Sequence, residues 1–150
     1  MTKRTWIVLL VVLVLAGMAW MNLRGNAEVR ADEDAGSTES IEQLTRQDKV
    51  VSYVQQHQRL PDYYITKKQA RSAGWDARSG NLCDVLPGRA IGGDRFANRE
   101  GRLPDKAKRV WREADINYRC GRRDADRLLY SSDGLIYVTK DHYRNFIRVE

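Results

Sequence analysis

Seven polar side chains could perform acid–base or phosphate chemistry if the fold brought them together: Lys67, Arg99, Glu100, Glu113, Arg123, Arg127 and His142. Carboxylates and imidazoles exchange protons near neutral pH, and guanidinium groups bind phosphate oxygens in pairs. Taken singly, each of these residues is more often a solvated surface charge. The functional hypothesis therefore depends on their being gathered at one site.

The sequence contains none of the generic catalytic motifs that would explain these residues in another way. It has no glycine-rich phosphate loop, no HExxH and no GxSxG. With only two cysteines, it also cannot supply the CxxC pairs of a zinc site. No metal site is predicted.

The segment 111–115 has the composition of a β-strand. Side chains alternate across a strand, so Trp111, Glu113 and Asp115 lie on one face and Arg112 and Ala114 on the other. Glu113 can then stand on the open side of a sheet, beside Arg123 and Arg127 from the next hairpin.

Helical signals come first along the chain and strand signals come after them. Apolar residues at helical spacing predict a first helix ending near Gln58, Thr66 can cap a second helix closed by Gly74, and Asn81 can cap a short third one. Segments rich in β-branched and aromatic residues predict strands over 91–96, 109–116, 127–131, 135–139 and 146–149. This order predicts an α+β fold, with N-terminal helices packed on one face of a single antiparallel β-sheet.

The first 23 residues predict export of the remaining chain. Lys3 and Arg4 precede 19 residues without charge, Thr5 to Leu23, which is the pattern of a signal peptide or a membrane anchor. The length is sufficient to span a bilayer, whereas Gly17 and Ala19 offer a cleavage site, so both forms remain open.

The rest of the chain divides by charge. Residues 24–44 hold 2 basic and 6 acidic residues and too little apolar surface to fold, which indicates a polar acidic linker or pro-segment. Residues 45–150 hold 22 basic and 14 acidic residues, a formal charge of +8, in one domain. Such a surface favours a polyanionic partner such as nucleic acid, an anionic membrane or an acidic protein.

The cysteines, Cys83 and Cys120, leave two readings open. Outside the cytosol they could form one disulfide, whereas in the cytosol they would be two buried thiols.

Several long motifs occur in a fixed order from about Asp48 to the C-terminus. They are LPDYYITK at 60–67, IGGD at 91–94, NREG at 98–101, WREADINY at 111–118, DRLLYSSD at 126–133 and DHY at 141–143. Together they resemble the barnase-like ribonucleases, the secreted guanyl-preferring microbial ribonucleases of bacteria. A chance match of this many ordered motifs is implausible.

The resemblance implies an endoribonuclease that cleaves single-stranded RNA through the 2′-hydroxyl of the substrate, forming a 2′,3′-cyclic phosphate that is hydrolysed more slowly. In this reaction Glu113 matches the general base and His142 the general acid. Arg123, Arg127 and Lys67 match the residues that bind phosphate and stabilise the transition state. No cofactor or metal is implied, because the nucleophile belongs to the substrate.

The resemblance also implies a guanine site in the loop after the first long strand. Its residues would be Phe96, Asn98, Arg99, Glu100 and Tyr143. Glu100 would accept hydrogen bonds from guanine N1 and N2, and backbone amides near Asn98 and Arg99 would reach O6. Adenine carries the opposite pattern of hydrogen-bond donors and acceptors, so it would leave these groups unpaired. The Gly92-Gly93-Asp94 segment is interpreted as a backbone bend with a turn-stabilising carboxylate.

The same resemblance implies partners and a compartment. It implies a secreted monomer, or a domain held outside the cytosol by an uncleaved N-terminal segment, with single-stranded RNA as substrate and a small acidic barstar-like inhibitor as partner. Cys83 and Cys120 are not family features, but they lie in elements expected to pack together, so export favours a disulfide. The target could be extracellular RNA for nutrition or, as a toxin, the RNA of a competitor.

A competing hypothesis from a different class is a non-catalytic, membrane-tethered RNA-binding module that uses the same basic groove. The pairing of Glu113 with His142 argues against it, since a binding protein has no need of a carboxylate facing a phosphate.

Overall fold

The computed structural model describes residues 38–150. The predicted signal peptide or anchor, residues 1–23, and most of the predicted linker lie outside the described residues. Within 38–150, every helix is too short or too polar to cross a membrane. The compact unit starts at Glu39, a few residues before the boundary at Thr45 drawn from the sequence.

Helices occupy the first half of this unit. They are α1 (Ile41–Leu44), α2 (Gln47–His57), α3 (Lys67–Ser72) and α4 (Leu82–Val85). Thr66 begins α3 with a capping box, in which its hydroxyl accepts from the amide of Gln69 and the Gln69 side chain accepts from the amide of Thr66. The α2 helix ends at Gln58 in the left-handed region (φ 55°), close to the predicted end.

Thr45 divides the predicted first helix into α1 and α2. Its hydroxyl donates to the carbonyl of Ile41 (2.7 Å) and accepts from the amide of Tyr118 (3.0 Å), and its carbonyl accepts from the amide of Asn117 (2.7 Å). The chain bends here because these bonds tie the helix end to the loop after the third strand of the sheet. Ile41, on the far side of the break, is buried in the core.

Asn81 precedes α4 as predicted, but it does not cap the helix. Its side-chain oxygen accepts from the amide of Asp76 (2.7 Å), and its side-chain nitrogen donates to the carbonyl of Gly74 (3.0 Å). The side chain therefore holds the loop between α3 and α4, and no side-chain bond is left for the helix start.

Six strands form one sheet in chain order. They are β1 (Tyr64–Ile65), β2 (Ala90–Phe96), β3 (Trp111–Asp115), β4 (Arg127–Ser131), β5 (Ile136–Thr139) and β6 (Ile147–Val149). The pairs from β2 to β6 are antiparallel, and β1 joins β2 in parallel. The predicted α+β fold is confirmed. The β1 strand was not predicted, because two residues are too few to show a period.

The two faces of the sheet have different roles. One face packs against the helices, with Ala114, Leu128 and Val138 in the main core. The opposite face carries a smaller apolar cluster of Leu103, Trp111 and Leu129. The alternation predicted for β3 is confirmed, because Ala114 and Trp111 fall in different clusters, and it leaves Glu113 on the face away from the helices.

Cys83 of α4 and Cys120, in the turn after β3, form a disulfide with their Cα atoms 5.7 Å apart. The backbones on either side also approach closely. A Cβ added to Gly80 (φ 65°) would lie 2.5 Å from the amide nitrogen of Arg122, so a larger residue cannot be placed there without displacing backbone. The loop before α4 is thus fixed against the turn after β3.

We expect the double substitution Cys83→Ser/Cys120→Ser to lower the free energy of unfolding by about 4 kcal/mol, because the unfolded chain regains the entropy of an open loop. Urea unfolding of the oxidised wild type and the variant measures this difference. Reduced wild type is the matched control and should unfold like the variant. Equal stability of all three would contradict the prediction.

Candidate active site

Glu113 lies at the centre of the open face of the sheet. It stands in the middle of β3, opposite Asp94 of β2 and Leu129 of β4. Its side chain is 8% exposed, yet each carboxylate oxygen has a partner. Oε1 accepts from Nζ of Lys67 at 2.7 Å, and Oε2 accepts from the hydroxyl of Tyr143 at 2.5 Å.

These partners keep Glu113 ionised. Burial raises the pKa of the Glu113 carboxyl, but the hydrogen bonds from Lys67 and Tyr143 and the charges of Lys67 and Arg123 outweigh it and lower the pKa below its ordinary value. For Tyr143, burial and the bond to Glu113 raise the pKa of the phenol well above the usual range, so Tyr143 stays a hydrogen-bond donor. At neutral pH Glu113 is therefore a carboxylate that accepts hydrogen bonds from two donors, Lys67 and Tyr143.

A backbone irregularity positions Lys67. The pairing of β2 with β3 shifts between Gly92 and Asp94, with Gly93 at φ 99°. After this bulge, the Asp94 carboxylate accepts from the backbone amide of Lys67 at 3.0 Å. The predicted bend is confirmed, but the carboxylate does not stabilise a turn near the base loop: it holds the first residue of α3 beside Glu113.

Two arginines share a buried counter-ion. Arg123 makes a bidentate pair with Asp115, at 2.8 and 2.7 Å. The Nε of Arg127 lies 3.0 Å from the same carboxylate without the alignment of a hydrogen bond, so this contact is ionic. The side chain of Asp115 is 3% exposed. Asp115 was not among the predicted site residues, although its place two residues after Glu113 on the same face was the available signal.

His142 stands in a turn with unusual backbone geometry. Both His142 (φ 53°) and Tyr143 (φ 69°) are left-handed, which side-chain-bearing residues rarely adopt in succession. The turn is held by Asp141, which accepts from the amides of Arg144 and Asn145, and by Thr139, whose hydroxyl accepts from the amide of Tyr143. The exposed His142 imidazole is thereby presented at the rim of the site.

A cavity of about 500 Å³ joins the predicted catalytic and base-binding residues. Its lining includes Lys67, Phe96, Asn98, Arg99, Glu100, Glu113, His142 and Tyr143. Arg123 and Arg127 line a neighbouring groove of about 580 Å³, which shares His142 with the cavity. The structure therefore brings the predicted site residues to two adjoining hollows that meet at His142.

Hydrogen bonds between Asn98 and Leu103 hold the predicted base-binding loop in its conformation. The side chain of Asn98 donates to the carbonyl of Leu103 (2.9 Å) and accepts from its amide (3.1 Å), so this amide group shapes the loop. Glu100 is exposed and lies 2.9 Å from Nε of Arg102. Phe96 stacks on Tyr143, with ring centroids 5.1 Å apart, and this links the loop to the partner of Glu113.

The described residues do not gather three or more histidine, cysteine, aspartate or glutamate side chains in a metal-binding cluster. What they do gather is an ionised carboxylate, an exposed imidazole and basic groups on an antiparallel sheet. Fold and site together define an α+β protein with a basic cleft in which a buried carboxylate and an exposed imidazole line one cavity.

Comparisons with known proteins give this class a name. Residues 47–150 match the ribonuclease family. A ribonuclease of Heyndrickxia coagulans is 61% identical over 102 residues, which cover 68% of this chain and 94% of that protein. Ribonucleases of Bacillus intermedius and Bacillus pumilus are also 61% identical over 102 residues, but the match spans only 63% of their length.

A crystal structure of ribonuclease Sa2 with guanosine-2′-cyclophosphate is similar at 25% sequence identity and a TM-score of 0.33, over 62% of this chain and 89% of that one. The family match and the identity to the bacterial enzymes decide the assignment. The chain belongs to the ribonuclease family of barnase-like microbial enzymes, and it is an RNA-cleaving enzyme.

We expect Tyr143→Phe to raise the pKa of Glu113, because the variant loses a donor to the ionised carboxylate while burial still favours the neutral form. The carboxyl ¹³C chemical shift of Glu113, followed through a pH titration, measures the pKa directly. Tyr137→Phe is the matched control, since Tyr137 packs on Trp111 and donates no hydrogen bond to Glu113. An unchanged or lowered pKa in Tyr143→Phe would contradict the prediction.

Proposed function

We propose that this ribonuclease is a guanine-preferring, metal-independent endoribonuclease acting on single-stranded RNA. It forms a 2′,3′-cyclic phosphate by transesterification and hydrolyses that product more slowly. The observation that carries the proposal is the ionised Glu113 in the same cavity as His142, with Lys67 on the carboxylate. A carboxylate that faces a phosphate can act as a general base, whereas in a site that only binds RNA its negative charge would weaken binding.

In the first step Glu113 takes the proton of the 2′-hydroxyl, and the 2′-oxygen attacks the phosphorus. The bond from phosphorus to the 5′-oxygen breaks as His142 gives its proton to that oxygen. In the second step His142 takes a proton from water, the water oxygen attacks the phosphorus, and the bond from phosphorus to the 2′-oxygen breaks as Glu113 gives its proton to that oxygen. The nucleophiles are the hydroxyl of the substrate and then water, each activated by a side chain, so the proposed reaction requires no metal.

The basic residues would stabilise the charge that builds up on the phosphorane. Arg123 and Arg127 are held by the buried Asp115, so the positions of their guanidinium groups are fixed before substrate arrives. Lys67 is positioned differently: Asp94 accepts from its backbone amide, and its ammonium group donates to Glu113. Asp115 and Asp94 are positioning residues. Because they hold the basic residues in place beforehand, these residues need not rearrange when substrate binds.

We expect Glu113→Ala and His142→Ala each to lower kcat/KM on the dinucleotide GpU by about 100-fold or more, because each removes one proton-transfer group. Release of uridine is the measurement. Glu150→Ala and His57→Ala remove the same chemical groups elsewhere and should retain the wild-type rate. Wild-type rates from both Glu113→Ala and His142→Ala would exclude the enzymatic roles and favour the RNA-binding alternative.

Guanine preference is proposed for the loop of Phe96 to Gly101. Glu100 would accept from guanine N1 and N2, and backbone amides near Asn98 and Arg99 would donate to O6. The internal bonds of Asn98 support this role, because they fix the loop backbone and spare its amide groups for the base. Arg102 lies beside this carboxylate, with its Nε 2.9 Å from an oxygen of Glu100. Tyr143, stacked on Phe96, would pack against the base.

We expect Glu100→Gln to reduce the preference for GpU over ApU by about tenfold, since an unmatched hydrogen-bonding group costs on the order of 1–3 kcal/mol. The ratio of kcat/KM values for the two dinucleotides measures the preference. Glu150→Gln, the same change at the exposed C-terminus, is the control. A ratio unchanged by Glu100→Gln would place base selection elsewhere.

We also propose that the enzyme is a monomer that acts outside the cytosol. Supporting this are the charge-free residues 5–23 behind Lys3 and Arg4, and the disulfide of Cys83 with Cys120, which oxidising compartments allow. The +8 domain would attract a small acidic barstar-like inhibitor to its basic cleft. Such an inhibitor would protect the RNA of the producing cell.

A further inference from the structure

The segment between β3 and β4, residues 116–126, connects the disulfide to the catalytic histidine. This β3–β4 loop is closed at its base, where the amide of Ile116 donates to the carbonyl of Asp126 at 3.4 Å. Cys120 lies near the tip of the loop, and Ala125 lies near its end. The loop therefore has one covalent attachment outside the sheet, at Cys120, and returns to the sheet beside the site.

His142 depends on this loop for its own backbone position. The amide of His142 donates to the carbonyl of Ala125 at 3.3 Å. The bonds that Thr139 and Asp141 accept hold the amides of the residues that follow, 143–145. A shift of Ala125 would therefore be transmitted to His142 through the bond that these two residues share.

The other catalytic groups are also held from outside the loop. Both Arg123 and Arg127 lie against the carboxylate of Asp115, which belongs to β3 and is 3% exposed. Glu113 is part of the same strand, and its cation Lys67 comes from α3. A displaced β3–β4 loop would thus affect His142 more than it affects the carboxylate or the arginines.

The disulfide fastens the β3–β4 loop near its tip. Cys120 is exposed, whereas Cys83 is half-buried in α4. The backbone of Cys120 has φ 72°, a left-handed conformation that residues with side chains disfavour. The bridge holds Cys120 in this conformation against the segment before α4, where Gly80 lies close to the backbone of Arg122. Without the bridge, the chain at Cys120 can relax toward ordinary backbone angles, and the residues after it can move.

We propose that the disulfide of Cys83 with Cys120 sets the position of His142 and thereby makes RNA cleavage sensitive to redox state. The inference rests on the proposed function, in which His142 protonates the departing 5′-oxygen. The disulfide acts through Ala125 and His142, so it is a positioning element and does not touch substrate. In a reducing compartment the acid would be poorly placed, and oxidation after export would complete the site.

Reduction requires an external dithiol, and one sulfur of the bridge is open to it. A thiolate of the dithiol attacks the sulfur of the exposed Cys120 and forms a mixed disulfide, while Cys83 leaves as a thiolate and takes up a proton. The second thiolate of the reagent then attacks its own sulfur in the mixed disulfide and releases Cys120, which is protonated in turn. The enzyme gains two electrons and two protons, and the dithiol becomes a cyclic disulfide.

The test compares GpU with the 4-nitrophenyl ester of guanosine 3′-phosphate. Uridine would leave as an alkoxide and needs the proton of His142, whereas 4-nitrophenolate is stable enough to leave without one. The ratio of kcat/KM for GpU to that for the ester therefore reports the contribution of the acid. An unfolded fraction lowers both values by the same factor, so a loss of stability leaves the ratio unchanged.

We expect reduction with dithiothreitol to lower this ratio about fivefold, because a misplaced proton donor loses part of its contribution to the rate. Reoxidation should restore the ratio. Cys83→Ser/Cys120→Ser is the matched control and should show the low ratio with and without dithiothreitol. An unchanged ratio in the reduced enzyme would overturn the proposal, even if both rates fall, because the disulfide would then only stabilise the fold.

His142→Ala separates this failure from a failure of the proposed function. In the oxidised enzyme His142→Ala should lower the ratio by more than reduction does, and reduction of the variant should then have no further effect on the ratio. A further fall would overturn positioning through His142. A ratio that His142→Ala leaves unchanged would contradict the proposed acid, and the inference with it.

Discussion

The site depends on keeping one nearly buried carboxylate ionised. Burial alone would neutralise Glu113, so its charge survives because Lys67 and Tyr143 bind its two oxygens and Arg123 lies nearby. These three groups come from different parts of the chain: a helix start, a turn between strands and a loop between strands. The bulge of β2 and the left-handed turn at His142 are the backbone features that bring the two donors, Lys67 and Tyr143, to the carboxylate.

A second buried carboxylate, that of Asp115, holds basic side chains in place. Asp115 holds two arginines whose charges would otherwise repel each other on one face of the sheet. A counter-ion of this kind reduces the net attraction for an anion but fixes where the guanidinium groups stand. Arg78 and Arg122, which line the groove beside Arg123 and Arg127, have no carboxylate within ion-pair distance among the described residues, and Nε of Arg122 donates to the carbonyl of Arg78. The groove thus combines arginines that a buried carboxylate holds in place with arginines that are more exposed.

Much of this arrangement could be predicted from the sequence, because strand alternation alone places Glu113 on the face opposite Ala114. The helix start at Thr66 could also be predicted, because an N-cap depends only on residues a few positions away. Hydrogen bonds to distant residues could not be predicted. Thr45 interrupts a continuous helical pattern because it bonds to residues more than 70 positions away. The cap predicted at Asn81 was wrong for a different reason, because its side chain has local competitors: it bonds to backbone groups of the preceding loop instead of the helix start.

The order of the strands has a consequence for how activity arises during folding. Neighbours in the sheet are neighbours in the chain, so the strands from β2 to β6 can assemble by short-range hairpin closure, which is fast. Lys67, however, reaches Glu113 across 46 positions of sequence. A chain whose hairpins have formed before the helical layer docks holds the carboxylate without its cation. The contact of Lys67 with Glu113 therefore requires the helical layer to have docked on the sheet.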